Sequence, residues 1–242
     1  MISIIVPVFN SEKSIVKLCH QITEIMINLQ QAYEIILVDD GSQDCSYLWM
    51  KKLSCNHSNI ISIQLARNYG QQNALLCGLR NSKGDYVVTI DDDLQYTPKD
   101  ISKLFEKMNE GYDVVYGVPK EKVNSTLRNF GSNFKEVMFR CFLKKPKDIT
   151  ITSFRILRKS VVEKITLDKN SFVYLSAMTF RCTQNVANVS VKHKPRLHGK
   201  SNYSYFKLIH LMLYTIIYYS NCPLLKPLKK HKPQYIIKEI IK

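Results

Sequence analysis

Short apolar runs alternate with amphipathic segments through the first half of the chain. Five runs are dominated by apolar side chains, and they cover residues 2–8, 34–38, 60–64, 86–90 and 113–116. Runs of this length, bounded by polar or turn residues, predict buried β-strands. The intervening segments carry apolar residues at three- and four-residue spacing. That spacing predicts helices over residues 15–29, 46–52, 71–80 and 100–110.

Strands that alternate with helices predict β-α-β units and a mostly parallel central sheet flanked by helices, an α/β fold. In such a sheet, ligands bind beyond the carboxyl ends of the strands. Three polar loops follow predicted strands at those ends, at residues 9–12, 39–42 and 91–95. The sequence therefore predicts that these three loops form one site.

The third polar loop, Asp91-Asp92-Asp93-Leu94-Gln95, carries the clearest candidate chemistry. Neighbouring carboxylates repel one another unless a cation lies among them, and Mg²⁺ and Mn²⁺ prefer oxygen ligands. Because side chains alternate along an extended segment, Asp91, Asp93 and Gln95 are expected on one side and Asp92 on the other. Taken alone, the loop is equally typical of a solvated acidic turn or a helix cap.

The second half of the chain has a less regular pattern. It predicts a loop over residues 120–133 leading into a helix, a strand over 154–157, a helix over 171–180 and a half-exposed strand over 189–193. A basic loop follows at residues 195–201. The apolar run at residues 208–219 is shorter than the roughly 20 residues of a membrane span. Residues 223–242 interleave lysines with Leu and Ile, which is typical of a helix lying on a membrane surface or of a basic solvated tail.

The charge of the chain points to an anionic partner. Its 242 residues carry a formal net charge of +15, whereas 45% hydrophobic and 23% charged residues are ordinary for a globular protein. Phosphate groups, nucleic acid and an anionic membrane surface are the partner classes that such a charge favours. Nucleic acid fits poorly, because aromatic residues do not interleave with basic ones and the acidic loops would repel a phosphate backbone.

The cysteines and the first residues indicate a reducing compartment. Seven cysteines are scattered without any CxxC spacing, which argues against a zinc site and against a disulfide framework. The N-terminal residues Met-Ile-Ser-Ile-Ile-Val-Pro lack the basic start and cleavage site of a signal peptide. The expected location is the cytoplasm, with peripheral attachment to the inner face of the cell membrane through the basic C-terminal residues.

With the loops in place, the chain resembles a family 2 glycosyltransferase with the GT-A fold. It is similar to the branch that contains dolichyl-phosphate mannose synthase and the bacterial polyprenyl-phosphate glycosyltransferases. The matching stretches lie at residues 5–12, 38–44, 66–70 and 91–95, and later at 153–157 and 196–203. The four early stretches favour the fold and the activity, and the two later ones favour the polyprenyl-phosphate branch.

This resemblance implies roles for individual residues. The nucleotide-sugar donor is expected to contact Pro7, Phe9, Glu12, Asp39, Asp40, Arg67 and Asp91. The predicted ligands of Mg²⁺ or Mn²⁺ are Asp91, Asp93 and Gln95. The predicted catalytic residues are Asp93, Arg196 and Lys200, and the predicted contacts of the acceptor phosphate are Arg128, Arg196 and Ser201. An arginine fork suits a phosphate better than the point charge of a lysine does.

Three features depart from this family pattern. Family members often have Asp or Gly before the Phe-Arg pair, and Ser153 stands here, so no base role is assigned to it. Many relatives have an arginine after Gly117, where this chain has Val118, and Lys120 or Arg128 is the candidate replacement. Many bacterial relatives continue into two transmembrane helices, whereas this sequence ends first. It is therefore expected to resemble short peripheral members or to require a small membrane-protein partner.

The function expected from this resemblance is inverting, metal-dependent transfer of a sugar from a nucleotide-sugar donor to a polyprenyl phosphate. The alternative acceptor is a lipid-linked saccharide, as in cell-surface polysaccharide assembly. A sugar hydroxyl would require a general base, whereas a phosphate monoester is already anionic near neutral pH. A glycosyltransferase-fold subunit without activity is a third possibility, and the intact Asp91, Asp93 and Gln95 argue against it. The predicted domains are a GT-A domain over residues 1–204 and an amphipathic, basic, membrane-associating segment over residues 205–242.

Overall fold

A computed structural model describes residues 1–120, 145–194, 205–219, 223–229 and 232–242. These residues form one eight-stranded sheet with helices on both faces. The strands are β1 Ile2–Val8, β2 Tyr33–Asp39, β3 Ile60–Leu65, β4 Tyr86–Thr89, β5 Val114–Pro119, β6 Arg155–Arg158, β7 Val186–Val191 and β8 Ile237–Ile241. The helices are α1 Ile15–Asn28, α2 Ser46–Asn56, α3 Gln71–Asn81, α4 Ile101–Asn109, α5 Lys159–Thr166, α6 Leu175–Cys182 and α7 Tyr205–Tyr219.

The sheet is mostly parallel, as the alternating pattern predicts. Its strand order is β7-β5-β6-β4-β1-β2-β3-β8. Strand β1 lies between β2 and β4 and is parallel to both, and β3 continues the parallel set. Strands β6 and β8 are antiparallel to their neighbours. The carboxyl ends of β1, β2 and β4 therefore meet at one edge of the sheet.

The helices cover the sheet with two separate apolar layers. Helices α1, α2 and α4 pack on one face through residues such as Ile15, Met50 and Leu104. Helices α3, α5 and α6 pack on the other face, where the end of α7 joins them through Tyr218 and Tyr219. Every residue of β1 is buried, because both faces of the central strand are covered.

The described residues between 223 and 242 form neither of the two predicted arrangements, a helix on a membrane surface or a basic solvated tail. Pro223–Leu228 is a short 3₁₀ helix, and β8 pairs with the edge of β3. The β-branched residues of this segment, Ile237, Ile240 and Ile241, favour a strand. The open edge of β3 supplies hydrogen-bond partners for their backbone groups. Glu239 adds side-chain contacts, since it accepts a hydrogen bond from Tyr47 Oη at 2.8 Å. Part of the predicted C-terminal segment thus belongs to the main sheet.

Within the described parts of the chain, no helix combines the length and the apolar character needed to cross a bilayer. Helix α7, Tyr205–Tyr219, is 15 residues long and contains the apolar run at residues 208–219. Its final turn is held in the protein, because Tyr219 Oη donates to the carbonyl of Phe172 at 2.7 Å and accepts from the backbone N–H of Tyr174 at 3.1 Å.

Candidate active site

The three polar loops meet at the carboxyl edge of the sheet, as predicted. The backbone N–H of Asn10 donates to Ser42 Oγ at 3.0 Å, and the backbone N–H of Gln43 donates to Asn10 Oδ1 at 2.8 Å. The loop after β1 also contacts the acidic loop, because the backbone N–H of Phe9 donates to Asp92 Oδ2 at 3.1 Å. The site is therefore assembled from the adjacent strands β1, β2 and β4.

Asp92 faces the loop after β1. Ser11 Oγ donates a hydrogen bond to the carboxylate that already accepts from Phe9 N. Burial raises the pKa of Asp92 to about 6, and the neighbouring Asp91 and Asp93 contribute, while the two hydrogen bonds act in the opposite direction. Asp92 thus joins the acidic loop to the loop after β1. Residues 92–94 form a turn rather than the extended segment that the predicted alternation assumes.

Asp40 positions the start of α3. Its two carboxylate oxygens accept the backbone N–H groups of Tyr69 at 2.7 Å and Gly70 at 2.8 Å. Burial raises the pKa of Asp40 to about 6 against the lowering effect of these two bonds. The preceding residue, Asp39, is fully buried and accepts the backbone N–H of Ser42 at 3.1 Å. Both acids, for which nucleotide contacts are predicted, therefore hold the loops at this edge of the sheet.

A glycine allows the loops after β2 and β3 to approach each other. Gly41 has a φ of +75°, and a Cβ placed on it would lie 2.6 Å from the backbone N of Asn68 and 2.8 Å from the carbonyl carbon of Arg67. No other residue type fits this combination of conformation and space. Gly41 is thus required for the close packing of the two loops beside Asp39 and Asp40.

Asp91 lies between two side chains that sequence reasoning missed. Gln71 Nε2, at the start of α3, donates to Asp91 Oδ1 at 2.6 Å. Ser153 Oγ, just before β6, donates to Asp91 Oδ2 at 2.6 Å. Ser153 lies in a sequence stretch that matches the family, at a position where family members often have Asp or Gly. That departure could have drawn attention to it, but no role was predicted.

The rest of the acidic loop turns sharply and contacts the end of β7. Leu94 has a φ of +60°, and the backbone N–H of Gln95 donates to Asp93 Oδ1 at 3.1 Å. Gln95 Nε2 donates to the carbonyl of Lys194 at 3.3 Å, and the backbone N–H of Lys194 donates to the carbonyl of Gln95 at 2.9 Å. The predicted metal loop is therefore joined to the residues that lead into the basic loop at 195–201.

The donor atoms of this loop fit a hard divalent cation. Asp91 and Asp93 offer carboxylate oxygens, and the amide nitrogen of Gln95 faces Lys194, which leaves its carbonyl oxygen as the acceptor end. In the described part of the chain, no three His, Cys, Asp or Glu residues form a metal-binding group. A metal here would thus need ligands from the donor phosphates, which is the usual arrangement for Mg²⁺.

The other predicted nucleotide contacts lie around the same edge. Pro7 is buried in β1, and Phe9 is half-exposed just beyond it. Glu12 Oε2 accepts the backbone N–H of Cys45 at 3.1 Å, which holds the loops after β1 and β2 together. The guanidinium of Arg67 stacks on the ring of Tyr69, with 4.9 Å from Cζ to the ring centroid. Four residues predicted for catalysis or acceptor binding lie outside the described residues: Arg128, Arg196, Lys200 and Ser201.

A family-wide sequence profile described as "Glycosyl transferase family 2" matches residues 3–166, which include β1 to β6 and all three polar loops. The chain belongs to glycosyltransferase family 2. The matched region covers more than half of the chain and ends with α5. The family predicted from the motifs is confirmed.

Curated relatives of this family member come from the polyprenyl-phosphate branch. Two examples carry the name undecaprenyl-phosphate 4-deoxy-4-formamido-L-arabinose transferase. The protein from Pseudomonas aeruginosa is 31% identical over 229 residues, covering 93% of this chain and 66% of the relative. The protein from Yersinia pestis is 35% identical over 226 residues, covering 92% of this chain and 68% of the relative. The chain spans about two thirds of the length of these relatives.

Solved structures confirm the GT-A fold. Glucosyl-3-phosphoglycerate synthase from Mycobacterium tuberculosis, in complex with Mn²⁺, UDP-glucose and phosphoglyceric acid, aligns with a TM-score of 0.64 at 16% identity. The alignment covers 90% of this chain and 77% of that protein. TarS from S. aureus aligns with a TM-score of 0.58 at 18% identity, covering 91% of this chain and 66% of that one. At such identities the likeness concerns the fold alone.

Proposed function

We propose that this glycosyltransferase moves a sugar from a nucleotide-sugar donor to a polyprenyl phosphate at the cytoplasmic face of the membrane, with inversion at the anomeric carbon. The observation that carries the proposal is the junction of the acidic loop with the end of β7. Gln95 and Lys194 exchange hydrogen bonds there, just before the basic loop. A donor bound at the acidic loop would thus lie near Lys194, and the basic residues that we assign to the acceptor phosphate follow Lys194 in the sequence. The names of the curated relatives support undecaprenyl phosphate as the acceptor.

The donor site of this proposal consists of the residues along the carboxyl edge. Asp39, Phe9 and Glu12 lie at the ends of β1 and β2, where a base and ribose would bind. Arg67, at the end of β3, adds a positive charge for the diphosphate. Solved neighbours in complex with UDP-glucose or UDP support a nucleotide ligand for this fold.

Asp91, Asp93 and Gln95 would hold Mg²⁺ or Mn²⁺ on the donor diphosphate. A divalent cation bound there would neutralise the charge that develops on the leaving diphosphate. The structural neighbours with bound Mn²⁺ or Mg²⁺ support this assignment. The three residues contribute a fixed loop geometry, because the sharp turn at Leu94 and the contact with Lys194 orient them before the donor binds.

The acceptor phosphate would attack the anomeric carbon from the face opposite the diphosphate. A phosphate oxygen forms the new bond to the carbon as the bond to the diphosphate oxygen breaks, and the electron pair leaves with the nucleoside diphosphate. The incoming phosphate is already anionic, so this step needs positioning and positive charge rather than a base. Arg196, Lys200, Arg128 and Ser201 are the residues that we assign to that task.

A lipid-linked saccharide is the alternative acceptor, and it would need a general base. Asp92 and Glu121 are the candidates that the sequence offers. Asp92 is already bonded to Ser11 and Phe9 on the side of the loop after β1, which does not favour a base role. Glu121 lies outside the described residues.

Attachment to an anionic membrane surface would bring the enzyme to its lipid acceptor. Leu213 in α7 and Leu224 and Leu228 in the following 3₁₀ helix are exposed, and Lys229 follows Leu228 in the sequence. Apolar side chains beside lysines favour binding to anionic bilayers. A small membrane-protein partner would serve the same purpose, whereas nucleic acid is not a partner in this proposal.

A two-acceptor assay tests the proposal. The purified protein is incubated with a panel of nucleotide sugars, Mn²⁺ and either undecaprenyl phosphate or a lipid-diphosphate-linked sugar. We expect transfer to the first acceptor, with a product that mild acid cleaves. Arg196→Ala should reduce this transfer by about 10²-fold, equivalent to about 2.7 kcal/mol, while hydrolysis of the donor by water falls much less. Transfer to the second acceptor alone would overturn the phosphate-acceptor proposal.

A further inference from the structure

The carboxylate of Asp91 is held on both oxygens by neutral side chains from two distant parts of the chain. Gln71 Nε2 donates to one oxygen and Ser153 Oγ to the other, each at 2.6 Å. These are short distances for hydrogen bonds between side chains, and bonds to an ionised acceptor are stronger than neutral ones. Both donors are uncharged, so they fix the carboxylate without cancelling its charge.

Each of the two donors is itself fixed by the framework of the site. Thr89 Oγ1, at the end of β4, donates to the carbonyl of Ser153 at 2.6 Å. Thr89 and Arg155 are also paired between β4 and β6, which sets the position of the residues before β6. Gln71 follows directly after Gly70, whose backbone N–H is bound by Asp40. The position of Asp91 is therefore determined by α3, β4 and β6 together.

We infer that Gln71 and Ser153 are positioning residues for Asp91, and this inference rests on the proposed donor site. A carboxylate has about four acceptor positions, and the two hydrogen bonds occupy one on each oxygen. They restrict rotation of the carboxylate and so fix the positions of both of its oxygens. In the proposed function, Asp91 lies near the donor ribose and the metal.

The surroundings of the two donors favour a functional role over a structural one. Gln71 is exposed at the first position of α3, and Ser153 is only partly buried. Removing either side chain should leave little buried surface unfilled, so the free energy of unfolding should change little. The orientation of Asp91, by contrast, depends on both bonds.

Binding of Mn²⁺ with UDP or GDP, measured by titration calorimetry, tests the inference without turnover. We expect Ser153→Ala and Gln71→Ala each to weaken binding by about 10-fold, the scale on which residues that orient metal ligands act. Ser153→Thr keeps the hydroxyl and should stay within about 2-fold of wild type. Ser102→Ala is the matched control, because the hydroxyl of this partly exposed α4 residue donates to the carbonyl of Lys99. Thermal melting should be unchanged in all four variants.

The decisive comparison repeats the same substitutions in an Asp91→Asn background. If Gln71 and Ser153 act through Asp91, the alanine variants should add little to the loss caused by Asp91→Asn, because the effects are coupled. Equal losses in both backgrounds, or wild-type affinity in Ser153→Ala, would overturn the inference. Absence of binding in the wild-type protein would overturn it together with the donor site. Coupled binding without transfer to lipid phosphate would leave it standing and reject only the proposed acceptor.

Discussion

Five carboxylates at the carboxyl edge differ in what their oxygens contact. Asp39, Asp40 and Asp92 accept backbone N–H groups and hold loops together. Asp91 accepts from two side chains, and Asp93 accepts from the backbone within its own turn. The same residue type thus serves the framework at three positions and the proposed ligand site at two.

Asp93→Asn should abolish transfer and leave the fold intact. The substitution removes one carboxylate from the proposed metal site, and the side chain is only partly buried, so core packing is unaffected. Turnover at low Mn²⁺ and the melting temperature, measured on the same preparation, check the prediction. Wild-type turnover at low Mn²⁺ would contradict the metal assignment.

Folding stability should fall as the pH rises from about 4 to 6, partly because of Asp40. Its pKa is raised from 3.8 to about 6, so the folded state binds this proton more tightly than the unfolded state does. The favourable contribution is complete below the unfolded value and is lost as the pH rises through the folded one, by at most about 3 kcal/mol. Urea denaturation should show that the free energy of unfolding falls less between pH 5.0 and 7.5 in Asp40→Asn than in wild type. Glu24→Gln is the control, because Glu24 is an exposed residue of α1. Identical profiles for wild type and Asp40→Asn would refute the prediction.

Arg155 is a buried cation without a counter-charge among the described residues. Its side chain is 2% exposed, Nε has no hydrogen-bond partner, and one amino group donates to Ser176 Oγ at 3.4 Å. The guanidinium also lies near the ring of Tyr116, with 5.9 Å between Cζ and the centroid. Burial of a charge without an ionic partner costs free energy, so this residue should lower the stability of the fold.

Arg155→Met should therefore unfold with a free energy within about 1 kcal/mol of wild type or higher, since it keeps most of the volume and removes the charge. Arg155→Ala is the comparison, because it also leaves a cavity and should cost about 2–5 kcal/mol. Urea denaturation measures both. Equal losses in the two variants would mean that the charge itself is stabilising.

At the residue scale, the order of strands and polar loops in the sequence predicted that the loops meet, and their hydrogen bonds show that they do. The alternation predicted for residues 91–95 assumes an extended backbone, whereas residues 92–94 turn. The contacts of Asp91 could not be predicted in the same way. Gln71 is 20 positions away in sequence and Ser153 is 62 positions away, and such pairings depend on how the sheet orders its strands. The early polar loops were found because each follows a strand that is evident in the sequence.

At the scale of whole elements, buried strands were predicted better than exposed ones. Strand β1 matches its predicted range, since a strand covered on both faces is a continuous apolar run. The half-exposed β7 begins at Val186 rather than at residue 189, and α6 begins at Leu175 rather than at residue 171. The sequence predicted a helix on a membrane surface or a basic solvated tail where the edge strand β8 lies, because interleaved Ile, Lys and Glu residues also fit a surface helix.

Removal of residues 234–242 should destabilise the protein and make it prone to aggregate. Without β8 the edge of β3 is open, and half-buried Ile237 and Ile241 are lost, which costs about 2 kcal/mol. Glu239→Gln keeps the strand but removes its contact with Lys51 at 3.0 Å, and it should have only a small effect because both partners are exposed. Urea denaturation and light scattering compare the two. Wild-type stability in the truncated form would show that β8 contributes nothing to the fold.

At the scale of the whole molecule, charge and exposed leucines favour peripheral attachment to membranes. The net charge is +15, and Leu224 is 85% exposed. We expect high salt or alkaline carbonate to release the protein from membranes, because each basic residue near an anionic surface contributes only about 1 kcal/mol. Vesicles with and without anionic lipid provide the control. Retention after both washes would mean insertion into the bilayer and would contradict the prediction.

The pairing of β8 with β3 has a consequence for synthesis on the ribosome. Strand β3 ends at residue 65 and β8 begins at residue 237, so β3 leaves the ribosome long before its partner is made. Throughout that interval the nascent chain presents an unpaired strand edge, which is the kind of surface that chaperones bind and that promotes misassembly. Slow translation of the later residues would lengthen this exposure, whereas faster translation would shorten it.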